Sequence, residues 1–148
     1  MNDITLEQIG YILLILFIHY VADFIFQNER WAQAKSYDFD QLLNHTMVYS
    51  MFWAACGSIF ILIRMFYYND SPETYRVMWL LNFLYTMITF VVHTATDYIS
   101  SKPVKQYFID KKYGSAIPNW GAFSAIGLDQ WVHYVQIFLT IWFVFQLI

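Results

Sequence analysis

All four histidines of the chain lie in apolar surroundings, and three of them have an aspartate four residues away: His19 with Asp23, His93 with Asp97, and His133 with Asp129. Eight aspartates spread over 148 positions would rarely produce that coincidence by chance. Residues i and i+4 share one face of a helix, so each pair presents an imidazole and a carboxylate in the same direction. His45 sits in an apolar run of its own. Ionisable groups inside apolar segments are expensive and mark function. Imidazole nitrogen with carboxylate oxygen is the donor set of a divalent transition metal, zinc first, with manganese or iron as alternatives. His19, Asp23, His45, His93, Asp97, Asp129 and His133 are therefore expected to hold one ion or two, the pair bridged by an aspartate. The competing reading of each pair is a hydrogen-bonded strut between helices.

The elements that must position these residues follow from composition. The chain is 59% apolar, 22% aromatic and only 13% charged, whereas a soluble domain carries about 25% charged residues. That balance excludes intrinsic disorder and points to a membrane solvent. The net charge of −3, with eight Lys and Arg in no block, speaks against nucleic acid as a partner. The single cysteine, Cys56, permits neither an internal disulfide nor a thiolate metal cluster. About 20 apolar residues span a bilayer, and four stretches qualify, at about 6–26, 42–66, 77–99 and 123–148. The expected fold is all-α, a single four-helix transmembrane domain over residues 1–148. Asn2, Asp3 and Glu7 stand where a signal peptide would be basic, so the first span is expected to be retained.

Between the third and fourth spans, Val104, Tyr107, Phe108 and Ile109 set against Lys102, Lys105, Lys111 and Lys112 suggest an interfacial amphipathic segment that Pro103 could start. The first and third connections carry Arg30, Lys35, Lys102, Lys105, Lys111 and Lys112, against Arg64 and Arg76 on the other side. By the positive-inside tendency, loops one and three are cytoplasmic and the termini face outward from an inner or plasma membrane. At about 1.5 Å per residue, all the site residues fall in the cytoplasmic half. The Asp-before-His order in the last span suits a helix running the opposite way. The outward half of every span reads as almost purely apolar, with no second polar station.

The run His19-Tyr20-Val21-Ala22-Asp23-Phe24-Ile25-Phe26-Gln27, with Trp31, Lys35, His45, His93, Asp97, Asp129, Gln130 and His133, resembles a family of small bacterial and phage membrane proteins known as domain of unknown function three-three-zero-seven. The resemblance covers nearly the whole chain and brings no established activity. More loosely, the His and Asp inventory is similar to that of membrane-bound metal-dependent hydrolases and, more distantly, the zinc phospholipase C group.

Gln27 and Gln130 flank the ligands and could orient them or bind substrate, while Arg30 and Lys35 could grip a phosphate or simply face anionic lipid. The expected function is a metal-dependent hydrolase acting on a lipid or lipid-linked phosphoester or ester, with Asp23, Asp97 or Asp129 as general base. The alternatives are a transporter or binding protein for divalent ions or protons, whose path a second copy of the chain could complete, and a structural membrane protein stapled by its metal.

Overall fold

The computed structural model describes residues 5–109 and 120–147. Helix α1 (Leu6–Tyr20) begins at Thr5, whose hydroxyl accepts the Gln8 N–H while the Gln8 side chain accepts the Thr5 N–H. This reciprocal cap satisfies two donors that the first turn leaves free. The helix then widens into a π-helical turn, Val21–Ile25, closed by Phe26 N–H on the Val21 carbonyl at 3.0 Å. A short helix, α2 (Glu29–Ala34), is capped by Asn28, whose side chain accepts from the Trp31 N–H. Asp38 caps α3 (Phe39–Tyr67) by accepting from Asp40 and Gln41. Helix α4 (Pro72–Ile109) starts on a proline, which suits a first turn with no acceptor for its N–H. Helix α5 (Trp120–Phe145) completes the set, and no strand occurs among the described residues.

Two expectations need correction. The third helix does not stop at Ile99 for Pro103 to start another; α4 runs on through Pro103 to Ile109, for 38 residues in all. Proline removes one backbone donor and strains the turn before it, but helices in membranes tolerate that loss when neighbours satisfy the freed group. Lys111 and Lys112 of the expected amphipathic segment lie outside the described residues. The first connection, read as loop, contains α2.

Three helical stretches, Leu6–Ile25, Phe39–Tyr67 and Pro72–Pro103, are long and apolar enough to cross a membrane. Helix α5 has 26 residues but carries Asp129, Gln130, His133 and Gln136, which lower its apolar character. The packing is inverted relative to a soluble protein. Leu13, Phe17, Phe60, Leu62, Phe83, Val91, Leu139 and Trp142 are exposed, while the buried side chains among the described residues are more often polar than apolar. Such an exterior would aggregate in water and is at home against acyl chains. A thin apolar core of Ala22, Tyr49, Trp53 and Ile137 lies between the helices. Helix α4 packs against both α3 and α5, and the π turn against α3, so the three His/Asp pairs and His45 all have a helix face turned inward.

Candidate metal centre

The π turn has a local consequence for the site. An i to i+5 turn widens the helix and rotates the residues within it relative to a straight α-helix, and here it carries Ala22 and Asp23 into the interior, both buried. Asp23 meets His45 from the second turn of α3 and His93 and Asp97 from α4, and all four side chains are at most 3% exposed.

Four atoms form the heart of this group: Asp23 Oδ1, His45 Nε2, His93 Nε2 and Asp97 Oδ2. His45 Nε2 is 3.1 Å from each of the two carboxylate oxygens, and His93 Nε2 is 3.7 Å from each. The two imidazole nitrogens are 3.5 Å apart. Ligands at about 2.0–2.1 Å from a tetrahedral ion stand roughly 3.3–3.4 Å from one another, a value these spacings bracket, and all four atoms lie within 4.8 Å of one another. Asp23 Oδ1 lies 3.1 Å from His45 Nε2 without a well-aligned hydrogen bond, an approach that a cation shared by the two would also satisfy. This buried His/Asp group could hold a metal ion.

The next layer fixes the ligands. The Gln130 amide nitrogen donates to Asp23 Oδ2 at 3.2 Å and to Asp129 Oδ2 at 3.1 Å, which turns its carbonyl oxygen to His19 Nε2 at 3.0 Å. His19 Nε2 therefore carries the proton and Nδ1 accepts from the Tyr49 hydroxyl at 2.9 Å. Both nitrogens are thereby engaged, so His19 supports Asp23 through Gln130 and stands outside the four-atom set. Tyr49 was not singled out by the sequence, although it lies one turn from His45 on the same face. Its ring also stacks flat on His93, with centroids 3.7 Å apart. Thr94 donates to Thr46 across the α3–α4 seam at 2.9 Å.

A second group shares Asp97. His133, Asp97 and Asp129 each offer a ligand atom within the same small volume, and His133 Nε2 is 3.4 Å from Asp97 Oδ1. His133 Nδ1 faces the Asp129 backbone carbonyl at 2.8 Å and donates to it, which leaves Nε2 bare. Lys35, just past α2, reaches across to Asp97 and donates to both of its oxygens at 3.1 Å. Burial works against the lysine charge, but the Asp97 and Asp23 carboxylates outweigh it and raise the Lys35 pKa above its ordinary value.

A cavity of about 560 Å³ opens beside this assembly. Asp23, Lys35, Asp129 and Gln130 line its polar side, Phe24 and Ile126 its apolar walls, and Lys105 also borders it, with its ammonium 3.5 Å over the Tyr37 ring. Gln27 lines the cavity too, and its amide nitrogen is buried without a partner. Arg30 is exposed on α2 and does not border the cavity.

The interior beyond the ligands corrects another expectation. Ser50, Thr89 and Gln136 are buried near the middle of the bundle and Thr140 farther out, and Ser50 Oγ, Thr89 Oγ1 and both Gln136 amide atoms lack protein partners. Farther along, the Asn82 amide donates to the Ala54 carbonyl and to Ser58, each at 3.2 Å, where Gly57 leaves room for it. These neutral groups escaped notice because they carry no charge to mark them within an apolar run. No family model, no curated protein and no solved structure matches the chain.

Proposed function

We propose that the chain is an integral membrane metalloprotein with α5 as its fourth span, a divalent transition ion on Asp23, His45, His93 and Asp97, and a hydrolytic site for an anionic lipid or lipid-linked ester. Two nitrogen and two oxygen donors at tetrahedral spacing suit zinc, with manganese and iron as alternatives. A divalent ion so held acidifies water and makes hydroxide available near neutral pH. The basic residues of the first and third connections favour placing the cavity at the cytoplasmic face. The resemblance to the small bacterial and phage membrane family is part of the same proposal.

The cavity carries this reading. It borders Asp23 on one side and joins apolar walls to Lys35 and Lys105 on the other, which matches a lipid that presents an acyl chain and an anionic headgroup together. Asp129 lines the cavity, and its side chain keeps 14% of its exposure, so it can meet both water and substrate. Asp97 is fully buried, and Asp23, though it borders the cavity, is only 3% exposed and would be taken up as a ligand. Asp129 is accordingly assigned as general base, held by Gln130, and Lys105 as a headgroup contact.

Detergent-purified protein screened against phospholipids, lipid pyrophosphates and lipid esters tests the reading. Asp129→Asn is expected to keep its metal and lose about 10²–10⁴-fold in turnover, the range for a general base. Metal-loaded protein that converts none of these lipids would overturn the hydrolase. The buried neutral groups Ser50, Thr89, Gln136 and Thr140 favour a second reading, in which ordered waters continue the polar interior beyond the metal and ions or protons cross. Uptake of Zn²⁺ or Mn²⁺ into sealed proteoliposomes, with every lipid unchanged, would replace the first reading with this one.

A further inference from the structure

Asp97 belongs to both ligand groups, with Oδ2 on the side of His45 and His93 and Oδ1 on the side of His133. In dinuclear centres a shared carboxylate of this kind sits between two ions roughly 3.5–4 Å apart. The second group has the donors for such an ion. His133 is fully buried, its Nε2 has no hydrogen-bond partner, and that bare nitrogen stands 3.4 Å from the acceptor-only Asp97 Oδ1. With a neutral His133, two lone pairs face each other in a buried place, which calls for a cation between or beside them. The cation at hand is the Lys35 ammonium, 3.1 Å from both Asp97 oxygens.

Charge leads to the same point. With neutral imidazoles, Asp23, Asp97 and Asp129 bring three negative charges and Lys35 one positive, which leaves the charge that one divalent ion balances. Without Lys35 the remainder calls for more than one.

We infer that Lys35 is the built-in second cation of a centre whose ligands could otherwise take two metal ions, and that it keeps the centre mononuclear. The inference rests on the proposed ion at Asp23, His45, His93 and Asp97, and it adds a latent position formed by Asp97 Oδ1, Asp129 and His133 Nε2. Lys35 acts there through Asp97, as a positioning and charge-balancing residue.

Manganese loading of detergent-purified full-length chain tests it, with bound metal counted by elemental analysis and the spin state read by electron paramagnetic resonance. Wild type is expected to bind about one Mn²⁺ per chain and give the spectrum of an isolated ion. Lys35→Gln and Lys35→Met are expected to bind about twice as much and to show an exchange-coupled pair. Adding His133→Ala to either should return the count to about one, and Lys35→Arg should stay at one. A merely structural lysine would lower yield without producing coupled spins. If both neutral variants stay mononuclear, or wild type in excess Mn²⁺ already shows a coupled pair, the inference fails while the first site stands. A coupled pair in wild type overturns the inference even where the neutral variants do not fold. Wild type that binds no metal at all overturns the underlying site instead, and with it this inference.

Discussion

Around Asp23, His45, His93 and Asp97, ionisable side chains from three segments crowd together, with each imidazole 3.1–3.7 Å from both carboxylates, whereas from about one turn beyond them Ser50, Thr89, Gln136 and Thr140 are spread along α3, α4 and α5. Both halves bury polarity in an apolar solvent, but the costs differ. A carboxylate withdrawn from water loses several kcal/mol unless a cation answers it. A hydroxyl or amide between helices costs or gains roughly 0.6 kcal/mol, because partners or water are usually found. On the proposed metal site, the crowded half would depend on its bound cation for stability, whereas the dispersed half depends on packing.

The largest effect that could break this contrast is a reversal of sign at Asp23. In metal-loaded protein, Asp23→Asn removes a ligand and should destabilise by about 3–5 kcal/mol, the cost of breaking a buried charge cluster. After chelation the same substitution removes an unanswered carboxylate beside Asp97, and the melting temperature should rise or hold. Thermal melts of both proteins in detergent, with and without chelator, measure all four states. A loss of the same size in both conditions would mean that hydrogen-bonded struts, not an ion, hold the crowded half.

The contrast also explains what the sequence could tell. Spacing alone singled out the candidates, because His19/Asp23, His93/Asp97 and Asp129/His133 need only helix periodicity to share a face, and antiparallel spans would put them at similar depth. Periodicity carries no information about a π turn, so the rotation that brings Asp23 to His45 was invisible, as was the diversion of His19 to Tyr49 and Gln130. Lys35 to Asp97 is a contact across 62 positions, set by the angle at which α2 returns to the bundle. Pro103 misled for a different reason. Its usual rule describes helices in water, and α4 passes through it. The neutral residues Ser50, Thr89 and Gln136 were missed because they carry no charge to mark them, although they continue the polar interior beyond the ligands.

A middle-sized effect is expected at Gly57, where the dispersed half has its closest approach. A Cβ added there would run into the Asn82 carboxamide, which donates to the Ala54 carbonyl and Ser58 at 3.2 Å each. Gly57→Ala should push Asn82 aside and cost about 1–3 kcal/mol, the usual price of overpacking a fitted contact. Metal content should not change, since the displaced seam lies three turns from His45 along α3. Elemental analysis beside the melting temperature separates the two quantities. A fall in bound metal would show the halves to be coupled, against the comparison.

The smallest expected effect is at Gln136. Its side chain is buried at 7% exposure on α5, one turn beyond His133, and neither amide atom has a protein partner. In the packing-dependent half such a group rests on ordered water, and leucine, of similar volume, removes two unmet polar atoms and adds apolar contact. Gln136→Leu should therefore leave the stability within about 0.5 kcal/mol of wild type or slightly above it, with metal content and lipid turnover unchanged. The same variant sharpens the functional alternative. If waters beyond the metal carry ions or protons, replacing their amide anchor with a hydrocarbon interrupts the file, and flux into proteoliposomes falls while stability does not. A large loss of stability, on the other hand, would show that Gln136 is tied into the polar network around His133, and the division of the bundle into a cation-dependent half and a packing-dependent half would have to be redrawn one turn deeper along α5.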